Sequence, residues 1–245
     1  MNWKEKLVVG KQPLPPRMCI YGTHGIGKST LASLFPSPIF ISTEDGLSSL
    51  DVTSFPQATK LDEVAVSIRS LIKEEHDFKT VVLDSVDWLV EPLIVTDVEG
   101  SHEAKDLAYG KGQMLVAEAF REILQGLDVL RKKRGMNVVL LAHAAAVKYE
   151  NPMTEPYDRY QPKIPNRCNA LLQEWVDVLA FASFKVIIKK ADSGFNNQVA
   201  RGVTTGERLL HLVENPAFVA KNRYACPDSI ELSFEELSKI IPIVK

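Results

Sequence analysis

Along the first half of the chain, short continuous apolar runs alternate with segments whose apolar residues recur at helical spacing. Met18-Cys19-Ile20-Tyr21 is the first such run; it is stopped by glycine and reads as a buried strand. Lys28 to Phe35 suits a helix closed off by Pro36 and Pro38, and Pro38 to Ser42 is a second strand. Leu61, Val64, Ile68, Leu71 and Ile72 fall on one helical face, which predicts an amphipathic helix over 61–74. Thr80 to Leu83 is a third buried strand and ends at Asp84. Met114, Ala117, Phe120, Leu124, Leu127 and Leu130 predict a long helix from about 110 to 134, with four cations in its last turn and Gly135 just beyond. Asn137 to Ala142 is a fourth strand and Val176 to Phe184 a fifth.

Strands alternating with helices form a mostly parallel α/β sheet flanked by helices, with its ligand beyond the strands' carboxyl ends. Beyond residue 185, β-rich segments at 185–190, 208–213 and 218–223 predict an antiparallel C-terminal extension, followed by a helix near 233–240. Residues 1–16 form an extended lead-in, since Pro13, Pro15 and Pro16 close it, and 17–245 read as a single domain. The segment 144–170 has no periodic pattern and is rich in Pro, Tyr and charge; it reads as a long functional loop.

Composition narrows the class without deciding the function. Of 245 residues, 45% are hydrophobic and 24% charged, an ordinary soluble balance. No run approaches the roughly 18 to 20 apolar residues of a membrane span, and the N-terminus lacks a signal-peptide core. The net charge of −2 argues against coating nucleic acid by bulk charge, while leaving a local basic groove open. Cys19, Cys168 and Cys226 cannot all pair and lack metal-ligand spacing, as in a cytoplasmic protein with reduced thiols.

Chemistry enters with Gly22-Thr23-His24-Gly25-Ile26-Gly27-Lys28-Ser29, followed by Thr30, which matches the G-x-x-x-x-G-K-[ST] phosphate loop. Glycines let such a loop curl until its backbone N–H groups point at phosphate oxygens. Lys28 is expected to reach the β- and γ-phosphates of ATP, and the Ser29 hydroxyl to hold Mg²⁺. Asp84, at the end of an apolar strand, is the expected carboxylate opposite Ser29 in the Mg²⁺ shell. Hydrolysis also needs a base for water. Ser85 rather than a carboxylate follows Asp84, so the candidate is Glu44, at the end of the strand after the first helix.

Phe40-Ile41-Ser42-Thr43-Glu44 and Val82-Leu83-Asp84-Ser85-Val86 resemble the corresponding segments of the RecA family. That resemblance implies an ATPase with Glu44 as the catalytic glutamate. It also implies a polar sensor at the end of the next strand, where this chain has His143 in place of the usual glutamine. Lys221-Asn222-Arg223 resembles the paired cations, here Lys221 and Arg223, that RecA-type ATPases and DnaB-type helicases insert into a neighbouring subunit's ATP site, implying a homo-oligomer, ring or filament.

RecA-type cores bind single-stranded DNA through two loops, corresponding here to about 89–111 and 144–170. The second loop offers Lys148, Arg159, Lys163 and Arg167 for phosphate, and Tyr157 and Tyr160 for base stacking. The short core is similar to phage-encoded RecA-like single-strand annealing proteins. That implies single-stranded DNA and a single-strand-binding protein as partners, in the cytoplasm of a bacterial host. A phage DnaB-class helicase or loader, or an ATP-dependent protein-binding switch without DNA, are the alternatives.

Overall fold

A computed structural model describes residues 7–10, 13–192 and 198–245. Of the lead-in, residues 1–6, 11 and 12 lie outside the described residues; its described part has neither helix nor strand, and Pro15 and Pro16 are buried where it enters the core. The strands are β1 (Arg17–Gly22), β2 (Pro38–Ser42), β3 (Thr53–Ser54), β4 (Thr80–Asp84), β5 (Asn137–Tyr149), β6 (Tyr157–Pro162), β7 (Val178–Asp192), β8 (Gln198–His211), β9 (Lys221–Asn222) and β10 (Ser229–Glu231). The helices are α1 (Lys28–Ser33), α2 (Leu61–Lys73), α3 (Val86–Trp88), α4 (Val95–Ser101), α5 (Ala104–Leu107), α6 (Lys111–Val129), α7 (Asn166–Trp175) and α8 (Phe234–Ile240), with π-helical turns at Leu89–Ile94 and Leu130–Arg134.

The sheet runs β10-β8-β7-β1-β5-β4-β2-β3, parallel from β7 to β3 and antiparallel where β8, β9 and β10 join. This is the mostly parallel, helix-flanked α/β sheet with an antiparallel C-terminal extension that the sequence predicts. Alternate strand residues face opposite layers, and both layers are covered. Cys19, Tyr21, Val81 and Leu83 pack under α2 and α6, while Met18, Ile20, Val82 and Leu141 pack against α1 and α8. Two-sided burial is why these strands read as unbroken apolar runs rather than alternating ones.

Three sequence expectations need correction. The 89–111 loop is mostly helical: Leu89, Val90, Leu93, Ile94 and Val98 are buried apolar residues, and their spacing fits a helical run against the sheet. The 144–170 segment is likewise not a loop. The β5 strand continues past the sheet to Tyr149 and turns back as β6 in an antiparallel ribbon, and α7 follows from Asn166. Intermediate exposure at 145, 147 and 149 alternates with full exposure at 146 and 148, a half-buried strand pattern hidden by small alanines. The fifth strand and the 185–190 segment are also one continuous β7.

A buried ion cluster ties the ends of these elements together. Asp177, just before β7, accepts from the Arg17 backbone N–H and guanidinium, from Arg131 Nη2 at 3.1 Å and from Arg223 Nη1 at 3.0 Å. Burial alone would raise its pKa, but the bonds from Arg17 and the charge of Arg131 outweigh that and hold the carboxyl below its usual range. Its contribution to stability is therefore present above the unfolded aspartate pKa and is lost as pH falls through the depressed folded value. Asp177→Ala should cost about 3–5 kcal/mol, because buried Arg131 would lose its carboxylate and Arg17 would keep only Asp128. The urea unfolding midpoint checks this.

Candidate nucleotide site

The phosphate loop joins β1 to α1, and its shape follows from its glycines. Gly25 and Gly27 adopt φ of 71° and 102°, in the left-handed region that glycine tolerates. A Cβ on Gly22 would collide with the Ala182 carbonyl oxygen of β7. Ile26 is fully buried in the α1-side core and anchors the loop. Lys28, only 7% exposed, donates from Nζ to the Gly22 and Thr23 carbonyls at 3.2 and 3.1 Å. Burial lowers its pKa, against the opposing charges of Asp84, Asp87 and Glu44.

Ser29 Oγ donates to Asp84 Oδ2 at 2.7 Å. These are hard oxygen donors of the kind that Mg²⁺ takes, so the pair fits that ion. Burial raises the Asp84 carboxyl, while the bond from Ser29 and the charge of Lys28 act the other way. Ser42 pairs with Asp84 across the sheet, and the next residue locks the two strand ends together. The Thr43 backbone N–H donates to the Asp84 carbonyl, and Thr43 Oγ1 exchanges hydrogen bonds with the Ser85 backbone. That brings half-buried Glu44 beside the Asp84 end of β4, where burial pushes its carboxyl above the ordinary glutamate range.

His143 pairs with Gly22 across the β1–β5 register, so the middle of β5 sits beside the start of the phosphate loop. Its ring lies 4.0 Å from the His24 ring, centroid to centroid, and its Nδ1 lies 2.8 Å from Asp87 Oδ2. The charge of His143, then burial, lowers the pKa of His24. Glycine loop, Lys28, Ser29, Asp84, Glu44 and His143 thus converge at the carboxyl ends of β1, β2 and β4, beside the middle of β5.

Residues 14–224 match the family described as the AAA domain. The chain belongs to the AAA domain family. Among solved structures, the crystal structure of the RadB recombinase matches with a TM-score of 0.46 and 17% identity, covering 81% of each chain; a likeness this distant assigns no role. No curated protein matches.

Two residues of this AAA domain site escape sequence reading of the motif. Asp87 reaches His143 from the first turn after β4. Arg208 on β8 donates to the Ile26 carbonyl at 3.3 Å, and its Nη1 would lie 2.8 Å from a Cβ at Gly27. An arginine 182 positions from its contact has no local signal; only the antiparallel return of β8 brings it to the loop.

The residues expected to grip DNA divide. Lys163 and Arg167 line a groove of about 930 Å³ between the β5–β6 ribbon and the helical 89–111 segment, facing Glu91 and Glu99. Tyr157, Arg159 and Tyr160 each have a neighbour within the chain: Tyr157 meets Tyr149 edge-on, the Arg159 guanidinium lies 3.6 Å over Tyr149, and exposed Tyr160 stacks on Phe181 at 5.2 Å. Arg159 also pairs with Glu214 at 3.4 Å. Lys148 stands opposite Asp158 on the ribbon's exposed face, apart from the groove.

Lys221 and Arg223 do not stand as free fingers. Lys221 Nζ donates to the Gln173, Glu174 and Val176 carbonyls, closing the carboxyl end of α7, and Arg223 pairs with Asp177. The reason is local: orphan carbonyls at a helix end attract a cation. β9 also pairs with Val178 and Leu179, at the end of β7 remote from the phosphate loop.

Proposed function

We propose that this AAA domain binds ATP with Mg²⁺ and hydrolyses it, acting on single-stranded DNA. The observation that carries the reading is the 2.7 Å Ser29–Asp84 pair beside Glu44, at the mouth of a glycine loop that buries Lys28. Lys28 and the loop would hold the β- and γ-phosphates, and Ser29 and Asp84 would hold Mg²⁺. When bound, the ion supplies positive charge to the phosphate oxygens. Glu44 orients water and accepts its proton; a carboxyl held above the ordinary range is a better proton acceptor than an exposed one. Arg208 steadies the loop within the same chain, so this reading asks nothing of Lys221 or Arg223.

Support for a nucleic-acid partner comes from the groove. Its wall begins at Ala145, two residues from His143; Ala144 pairs with Pro162, and the Lys163 backbone N–H donates to the His143 carbonyl at 2.9 Å. Movement at the phosphate site therefore has a short hydrogen-bonded route to Lys163, four residues before Arg167. Annealing in phage recombination is the cellular role that we infer, with a homo-oligomer as the working form.

Turnover of ATP with and without a single-stranded oligonucleotide tests the reading, and absence of Mg²⁺-dependent turnover in both sinks it. Lys163→Ala and Arg167→Ala should each weaken oligonucleotide binding and flatten the dependence of log K on log salt by about one phosphate contact. Fluorescence anisotropy over a salt series measures this. An unchanged slope in both variants removes the groove from DNA binding and favours a protein partner.

A further inference from the structure

His143 is held on three sides by the chain itself. Its backbone N–H donates to Asp87 Oδ1 at 2.9 Å, and its Nδ1 lies 2.8 Å from Asp87 Oδ2, with both residues buried. The third contact is the His24 ring, stacked at 4.0 Å and tilted by 27°. Burial alone would raise the Asp87 carboxyl, but the bonds from the His143 ring and backbone outweigh it and hold the group below its usual range. An ionised carboxylate only accepts, so the hydrogen between the two side chains sits on Nδ1. Hydrogen bonds among the described residues then use Nδ1 and leave Nε2, on the side of the ring away from Asp87, without a partner.

We propose that Asp87 is a positioning residue: it fixes the tautomer and plane of His143 and balances an imidazolium whose Nε2–H is donated to the terminal phosphate of bound nucleoside triphosphate. The reasoning is chemical. Which ring nitrogen of a histidine carries the hydrogen is set by the bond made by the other one. A donor held rigidly where charge develops stabilises the transferring phosphoryl group without reorganising. Asp87 sits in the helical turn just after β4, and His143 in β5, two residues past Leu141, the partner of Asp84, so the pairing of β4 with β5 assembles the clamp. The other charged groups around the ring are His24 and Lys28 of the phosphate loop, Glu44 after β2 and Asp84 at the end of β4. The proposal rests on the ATP reading above.

The test uses the full chain as wild type, Asp87→Asn, His143→Gln and the double variant. Asparagine keeps an oxygen for the backbone N–H but cannot balance an imidazolium, and its amide hydrogens face Nδ1. A long-range ¹H–¹⁵N spectrum, with the His143 signal assigned through its loss in His143→Gln, should show Nδ1 protonated in the wild type and an altered pattern in Asp87→Asn. Asp87→Asn should keep ATP affinity near that of wild type and lower kcat by about tenfold or more. Added to His143→Gln, it should cost less than about twofold further, because the residue it positions is gone. A bare Nδ1 in the wild type overturns the proposal. So does an equal loss from Asp87→Asn in both backgrounds, or a loss that tracks a lowered melting temperature. A wild type that binds no ATP overturns the ATP reading and the phosphate role together, while the nitrogen spectrum judges the Asp87 clamp separately.

Discussion

Lys28→Ala protein should show no ATP turnover above background and should bind nucleotide markedly more weakly. Lys28 is buried at the foot of the loop, and its ammonium now spends its hydrogen bonds on the loop's own Gly22 and Thr23 carbonyls. Those acceptors are neutral, and a phosphate oxygen would replace them with an oppositely charged one. Each bond to a charged group is worth about 1.5–3 kcal/mol, or roughly tenfold to 150-fold in Kd. Loss in the transition state should be larger, since the same cation meets charge building on the transferred group. Calorimetric titration with a non-hydrolysable analogue, alongside phosphate release, separates the two effects. Turnover unchanged by this substitution would remove the loop from the chemistry.

Glu44→Gln should bind ATP as the wild type does and hydrolyse it at least about 100-fold more slowly, the lower end for loss of a general base. Glutamine keeps the shape of the side chain and leaves intact the backbone lock made by Thr43 and Ser85. Only the proton-accepting oxygen is lost. The pH profile supplies a second check. Burial raises the Glu44 carboxyl, with Asp84 and Asp87 adding to the effect and His143 opposing it. Its active, ionised form therefore fades as pH falls, with a midpoint above that of an exposed glutamate, and the residual rate of Glu44→Gln should lack that limb. Single-turnover rates across pH measure both. A variant with near-normal turnover would move the base to Asp87 or Asp45.

The phosphate loop and the strand ending in Asp84 were legible from the chain alone because both are local. Glycine positions dictate a backbone path within a few residues, and a strand buried on both faces must be apolar without interruption. Glu44 needed one further inference, that a carboxylate at the next strand end lies beside Asp84, and the parallel register of β2 with β4 does align those ends. The helical face of 61–74 and the long helix from about 110 were readable for the same reason, since period 3.6 is written in adjacent residues.

Tertiary structure alone decided the rest. Lys221 and Arg223 look like free cations in one dimension; their partners, the α7 carbonyls and Asp177, lie more than forty residues away. Tyr157 and Tyr160 look like unpartnered rings in one dimension, yet Tyr157 meets Tyr149 edge-on and Tyr160 stacks on Phe181. Asp87 and Arg208 carry no motif, and enter the site only because the sheet sets β4 beside β5 and returns β8 toward the loop. A motif records what a short stretch of backbone must do. Which charges end up paired depends on strand order and burial, and those are properties of the whole sheet.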